Sequence, residues 1–413
     1  MILNQSIDVE TQIKALIDTG WYEEARNAAG ATLQHGIISK EVHDDLMRAL
    51  VGKPKSVHKG HEVYGLAAGF DSNTVFSSLQ FTHLTSEHEM KAAFKQAVNK
   101  IEIETSTQCN RHCTYCPNSK PGFEHRRTSN TFMDMAMFEK LLYDLEEIDY
   151  DQTISLVGMN EFFMHESNFE YLELIKQVLP KCKIQIYSNG DYITREYLER
   201  AERAGVDLIV VSLHLQAGKA YNTEDIVERI AKFMKRTRLK LYMTDFVKGK
   251  RFHFETRFGN LNILAGLVNW ETDGHSWGGI IDAGTNMAGQ GTPCQSPVNI
   301  LCLTQDGDFT LCCAVPREKT PENLANGAVL GNLRDFSSIF HAYASDAMLY
   351  WRQHAFSTDK IPPLCQDCTW RNSQSNNLNR QLGAFVEQQL VNVVEPNPAI
   401  VAVPAIPKKS ACG

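Results

Sequence analysis

The sequence predicts an α/β chain organised around an open, partial (β/α)6 barrel, with an N-terminal helical module before it and a small cysteine-marked C-terminal domain after it. Three observations carry that expectation. Six short β-rich runs alternate with amphipathic stretches between residues 100 and 268, helical periodicity dominates residues 1–52, and cysteines gather in two groups, one inside the alternating region and one after it.

A chain of 413 residues has room for two or three domains with a sizeable core, and its 43% hydrophobic and 22% charged content argues against wholesale disorder. The net charge of −8, without a Lys/Arg run, leaves no electrostatic footprint for a nucleic acid or an anionic membrane, so neither partner is expected. The segment Met1–Asp8 lacks the basic flank and apolar core of a signal peptide, and no stretch approaches about 18 uninterrupted apolar residues. The expected location is cytoplasmic. In a reducing compartment the 11 cysteines are poor disulfide candidates and point to metal or redox chemistry.

In residues 1–52, Ile13, Leu16 and Ile17 recur at helical spacing, Gly20 can stop that segment, and residues 21–33 and 40–50 continue the pattern. Residues 53–98 read as a linker and irregular segment, opening on Lys53-Pro54 and carrying weak periodicity. The barrel is expected over 99–290. Its strands are Lys100–Glu104, Thr153–Val157, Lys183–Tyr187, Leu208–Leu213, Leu239–Met243 and Leu261–Val268, with helices near 136–148, 168–179, 194–204 and 223–236. Strand, helix, strand repetition implies a parallel sheet with helices on its outer face, and chemistry in the residues just after each strand. Six strands are too few to close an eight-stranded barrel. Residues 291–385 read as a hairpin, a helix and a Cys-rich turn, and 386–413 as a Pro/Val/Ala-rich tail.

The first strand runs into Cys109-Asn110-Arg111-His112-Cys113-Thr114-Tyr115-Cys116, a C-x3-C-x2-C loop. Three thiolates on one short loop can hold three corners of a cubane and leave the fourth metal open to a substrate-like ligand. A zinc knuckle would instead need a fourth ligand, such as His112.

These motifs resemble the radical S-adenosylmethionine (SAM) superfamily. Its hallmark loop is matched by Cys109, Cys113 and Cys116, with the aromatic Tyr115 where the family commonly contacts adenine. Gly158-Met159-Asn160-Glu161 after the second strand is similar to the family's Gly-Gly-Glu motif, which receives the SAM amino group; Phe162 stands where a proline is frequent. Ser188-Asn189-Gly190 after the third strand is like its S/T-N-G segment, and Ser212-Leu213-His214 after the fourth falls where it places a polar contact to SAM. The resemblance implies that Tyr115, Gly158, Asn160, Glu161, Ser188, Asn189, Ser212 and His214 bind SAM beside a 4Fe-4S cluster. One-electron reduction would then give a 5′-deoxyadenosyl radical, with electrons from a flavodoxin- or ferredoxin-type donor.

Cys294, Cys312, Cys365 and Cys368, with Gly331-Asn332-Leu333 between, resemble the Twitch domain, the shorter relative of the SPASM domain, which holds an auxiliary 4Fe-4S cluster. The same four thiolates would also suit a structural zinc ion, which would make the chain a zinc-stapled binding module without catalysis. Cys182, Cys302, Cys313 and Cys412 remain. Side chains alternate along a strand, so Cys312 and Cys313 should face opposite sides, which leaves Cys313 as core packing or as a candidate hydrogen donor. The resemblance thus implies a radical SAM oxidoreductase or maturase. Its substrate is expected to be a peptide or small polar metabolite, oxidised through the auxiliary cluster, with epimerisation as the alternative.

Overall fold

The computed structural model describes residues 39–49 and 77–355, with breaks at 122, 124–125, 127–128, 217, 248, 275, 278–279, 282–293, 295, 316 and 318–319, together with residues 14, 29, 33, 363–366 and 368. The expectations for most of residues 1–76, for the tail and for Cys412 therefore lie outside the described residues.

Among the described residues one sheet organises the chain. β1 (Lys100–Ile103), β2 (Thr153–Leu156), β3 (Lys183–Ser188), β4 (Leu208–Ser212), β5 (Tyr242–Val247), β6 (Arg251–Phe258), β7 (Leu261–Val268), β8 (Ile300–Leu303), β9 (Asp308–Thr310) and β10 (Val329–Asn332) lie in the order β10-β9-β8-β1-β2-β3-β4-β7-β6-β5. The central six, from β8 to β7, pair in parallel, and each flank ends in antiparallel pairs. This is a parallel-dominated α/β sheet of the expected class.

Period-two alternation separates its faces. Ile101, Ile103, Ile154, Leu156, Ile184, Ile186, Ile209, Val211, Ile263 and Ala265 belong to the apolar core shared with the helices. The inner face carries Lys100, Glu102, Ser155, Gln185 and Tyr187 instead. The helices are α1 (Lys40–Ala49), α2 (Glu87–Ala97), α3 (Met135–Glu146), α4 (Asn168–Val178), α5 (Arg195–Arg203), α6 (Thr223–Thr237), α7 (Trp270–Asp273), α8 (Ser296–Asn299), α9 (Pro321–Ala325), α10 (Ile339–Ala344) and α11 (Asp346–Ala355). Side-chain caps start the barrel helices: Asp134 accepts from Met137 N, Thr194 from Tyr197 N and Asn222 from Asp225 N. None of the helices searched among the described residues is long and apolar enough to cross a membrane.

Three elements differ from expectation. The run Leu239–Met243 does not supply the strand beside β4; β5 begins at Tyr242 and forms the sheet edge against β6, and β7 pairs with β4. The sixth parallel strand is β8, which pairs with β1 and carries the C-terminal hairpin into the same sheet. Residues 87–97, expected within the irregular linker, form α2. A capping box between Ser86 and Glu89 starts it, and Ala93, Phe94 and Ala97 bury its inner face.

Candidate functional site

The loop after β1 places three thiols together at the strand's carboxyl end. Thr107 N–H donates to the Thr131 carbonyl at 3.1 Å, and Cys116 N–H donates to the Cys113 carbonyl at 3.0 Å, closing a turn between the second and third cysteines. Arg111 N–H donates to Cys109 Sγ at 3.4 Å and Asn189 Nδ2 approaches it at 3.7 Å. Such donors suit a thiolate. Burial foremost, then neighbouring negative charge, pushes the Cys109 thiol up to about 11 and Cys116 up to about 12. Bound iron would offset that penalty, because coordination favours the thiolate outright. The donor set therefore fits a cluster held by Cys109, Cys113 and Cys116 with one iron left for another ligand. Among the described residues no three Cys, His, Asp or Glu side chains converge as tightly as a single-ion site requires. A cubane takes its ligands at separate corners and needs a wider spacing.

An ionic brace fixes the loop. Arg111 donates from Nε to Asp191 Oδ2 (2.6 Å), from Nη2 to Oδ1 (2.8 Å) and from Nη1 to the Leu215 carbonyl (2.9 Å), while Arg229 Nη2 lies 2.5 Å from Asp191 Oδ1. Burial works to raise the Asp191 pKa, yet the Arg111 hydrogen bonds and the two guanidinium charges hold it below the usual carboxylate range.

The strand ends interlock around Glu161. Its fully buried carboxylate accepts from Ser188 Oγ (2.6 Å), Asn189 N (2.6 Å) and Phe163 N (3.1 Å), and burial raises its pKa to about 7. Glu161 thus joins the ends of β2 and β3, and Asn189 continues to Asn110 and Cys109. Asn160 donates to Ser106 Oγ at 3.0 Å. Gly158 is dictated by close approach: a Cβ there would lie 2.4 Å from Glu104 Cγ. Glu104, with no exposed surface, accepts from Met159 N and Arg126 Nη2, both at 2.6 Å, and Arg317 Nη1 lies 3.7 Å away.

Aromatic residues cover the other side of the loop. Tyr115 stacks on Trp270 with centroids 4.6 Å apart and planes 4° apart, and its hydroxyl meets His214 Nδ1 at 3.1 Å. Trp277 donates from Nε1 to the Tyr115 carbonyl at 3.1 Å while holding a left-handed φ of 49°. Burial, followed by the charges of Arg111 and Arg229, pushes His214 down to about 3, so its imidazole is neutral at ordinary pH. Ser212 ends β4 one row beyond Val211.

In the second cysteine group, burial first and then the neighbouring Cys313, Cys368 and Cys365 raise the Cys312 thiol pKa. Cys368 N–H donates to the Cys365 carbonyl at 3.3 Å, and Cys312 and Cys365 pack against a cluster of Leu311, Val315, Ala328 and Trp351. Cys294 lies just before α8, which leads into β8. Cys313 borders the inner face: after burial, the groups acting most on its thiol are Glu102, Arg317, Lys100 and Cys368. Cys302 is buried with Sγ 3.6 Å from Glu102 Oε2, and Cys182 is buried with Sγ donating to the Tyr150 carbonyl at 3.1 Å.

Sequence reasoning missed Arg111, Asp191 and Arg229, the Glu104–Arg126–Arg317 group, and Trp270. Arg111 inside the cysteine loop and Asp191 directly after Ser188-Asn189-Gly190 were readable hints. Arg126 and Arg317 had none, since they are far from Glu104 in the chain.

Residues 103–243 match the model of the Radical SAM superfamily. A curated relative, the S-adenosyl-L-methionine-dependent 2-deoxy-scyllo-inosamine dehydrogenase of Niallia circulans, is 24% identical over 272 residues, covering 65% of this chain and 91% of that enzyme. Among solved structures, BtrN in complex with AdoMet and 2-DOIA aligns at TM-score 0.46 and 20% identity, over 66% of this chain and 92% of that one. Native anSMEcpe with bound AdoMet aligns at TM-score 0.38 and 13% identity, over 73% and 98%.

Proposed function

Starting from the premise that this chain is a radical SAM oxidoreductase, we propose that it dehydrogenates a small polar, hydroxyl-bearing metabolite and passes the second electron to an auxiliary 4Fe-4S cluster on Cys294, Cys312, Cys365 and Cys368. The observation that carries this reading is the pairing of β8 with β1 and of β9 with β8, which joins the strand that leads into the Cys109 loop and the strand that leads into Cys312 in one sheet, with Cys313 acting on Lys100 and Glu102 of its polar inner face. The dehydrogenase relative supports a small polar substrate over a peptide.

A 4Fe-4S cluster on Cys109, Cys113 and Cys116 with SAM supplies, when bound, a 5′-deoxyadenosyl radical that takes a hydrogen atom from substrate carbon. The chain's own part is positional. Asp191 locks the loop, Glu161 fixes the ends of β2 and β3, and Tyr115 with Trp270 and His214 offers aromatic surface beside it. The inner face offers Lys100, whose Nζ lies 3.2 Å from Glu102 Oε1, and Tyr187, whose hydroxyl accepts from Gln185 Nε2 at 3.1 Å. These groups match hydroxyls and amines better than apolar side chains. Residues 291–385 would form the auxiliary-cluster unit, and a flavodoxin- or ferredoxin-type protein would deliver the reducing electron.

The test is anaerobic reconstitution, metal analysis and incubation with 2-deoxy-scyllo-inosamine and related aminocyclitols, following 5′-deoxyadenosine and product mass. About eight iron and eight sulfide per chain and a product two mass units lighter are expected. Zinc with about four iron would assign the second cysteine group to a structural ion instead. One observation favours a second reading. Cys313 borders Lys100 and Glu102, where it could return a hydrogen atom, and epimerisation would give a product of unchanged mass carrying one solvent deuterium.

A further inference from the structure

A histidine–aspartate pair on the unforeseen hairpin lies level with the strand-end residues of the site. In the sheet register Ser212 is opposite Gly266, Gly266 opposite His253, and His253 opposite Asp245, so one row crosses β4, β7, β6 and β5. Asn189, beside Cys109, follows Ser188 as Ser212 follows Val211, and Ser188 and Val211 are partners. The neighbours of His253 along β6, Phe252 and Phe254, belong to the apolar core, so alternation puts His253 on the inner face. Its ring occupies the space that Gly266 leaves: a Cβ on Gly266 would lie 2.9 Å from His253 Cδ2 and 3.5 Å from Nε2. The other nitrogen, Nδ1, faces Asp245 Oδ2 at 3.7 Å, and Asp245 accepts from Arg251 Nε at 2.5 Å. Nδ1 is therefore on the carboxylate side and Nε2 on the side of β7 and Ser212.

We propose that His253 is the base that takes the substrate's hydroxyl proton during dehydrogenation, oriented by Asp245. The inference rests on the dehydrogenation proposed above. For a secondary alcohol, the C–H hydrogen atom goes to the 5′-deoxyadenosyl radical, giving 5′-deoxyadenosine and a carbon radical bearing the hydroxyl. The O–H bond then breaks and its proton goes to His253 Nε2. As the C=O double bond forms, the remaining electron would leave to the one-electron acceptor that the auxiliary cluster proposed on Cys294, Cys312, Cys365 and Cys368 would supply when bound. Among the described residues, the charged groups that act on the ring are Asp245 from β5 and Arg251 from β6, while β7 presents Gly266. Burial first, with Arg251 adding to it and Asp245 opposing, lowers the imidazole pKa from its usual value near 6.5, so the ring is neutral and able to accept a proton at pH 7.

The reconstituted holoenzyme tests this in two ways, with 2-deoxy-scyllo-inosamine as the probe. Diethyl pyrocarbonate at pH 7, mapped by mass spectrometry, should modify His253, more slowly as pH falls through its depressed pKa and less in the presence of SAM and the probe; an unreactive His253 would overturn the proposal by showing that Nε2 is not open to the site. In turnover, His253→Gln should lower the ratio of ketone to 5′-deoxyadenosine by about 10²-fold and remove the acid limb of the pH profile, with added imidazole restoring ketone in His253→Ala. Wild-type-like ketone formation in His253→Gln would overturn the assignment while leaving dehydrogenation standing. Equal loss of ketone and 5′-deoxyadenosine would also overturn it, placing His253 in SAM binding or folding. If the wild-type enzyme oxidises neither this probe nor related aminocyclitols, the dehydrogenation reading fails, and the base falls with it.

Discussion

The two cysteine groups are built on opposite physical principles. Cys109, Cys113 and Cys116 come from one loop of eight residues, and distant charged side chains hold that loop: Asp191, from the end of β3, takes Arg111 from the loop and Arg229 from α6. Cys312 and the Cys365–Cys368 turn come from separate segments, and Cys312 and Cys365 rest on an apolar platform of Leu311, Val315, Ala328 and Trp351. A compact ligand loop still needs external orientation, which charge-assisted hydrogen bonds supply. A dispersed ligand set needs its carriers packed together, which burial supplies. The first site should therefore answer to charge and pH, the second to side-chain volume.

The sharpest break of the comparison is to remove each set of cysteines. Replacing Cys109, Cys113 and Cys116 by Ala together should abolish reductant-dependent 5′-deoxyadenosine formation and leave about four of about eight iron per chain. Unchanged SAM cleavage would refute the assignment of that loop. Replacing Cys365 and Cys368 by Ala should spare 5′-deoxyadenosine formation and eliminate the oxidised product, whereas Cys313→Ala should leave that product. Loss of a deuterium-bearing product of unchanged mass in Cys313→Ala would favour epimerisation. Trp351→Ala tests the platform. Removing this buried ring should cost about 3 to 5 kcal/mol in denaturant unfolding and lower iron retention at the second site before the first. Asp191→Ala tests the brace and should cost less, about 1.5 to 3 kcal/mol. Because the folded Asp191 pKa is depressed, its contribution is full above its unfolded value near pH 4 and is lost as pH falls through the lower folded value. A stability profile with the same acid limb in wild type and Asp191→Asn would remove Asp191 from that role.

The difference also explains what could be read from the sequence. Both cysteine groups announced themselves by spacing, and five of the six parallel strands, β1 to β4 and β7, by their alternation with amphipathic stretches. The β5–β6 hairpin did not, although Arg251-Phe252-His253-Phe254-Glu255 alternates with period two: the expected run Leu239–Met243 overlaps β5 only at Tyr242 and Met243, and β7 pairs with β4. Ser86 and Glu89 spelled a capping box inside the supposed linker. Lys100 and Glu102 within a buried strand hinted at a polar inner face. Glu104 with Arg126 and Arg317 was unreadable, since the pairing depends on a loop and a post-hairpin segment converging only in the folded chain.

The β1–β8 pairing has a consequence for synthesis. Glu102 and Cys302 sit side by side in the sheet, yet 200 residues separate them in the chain. At ribosomal rates of about 5 to 20 residues per second, β1 emerges about 10 to 40 s before the strand that covers its outer edge. During that interval the nascent sheet can grow from β1 through β2 and β3, but the other side of β1 offers an open row of backbone donors and acceptors next to a loop of free thiols. The vulnerable moment of this protein is thus a stage of translation: premature release, or a pause before β8, would leave β1 available to strands of other chains.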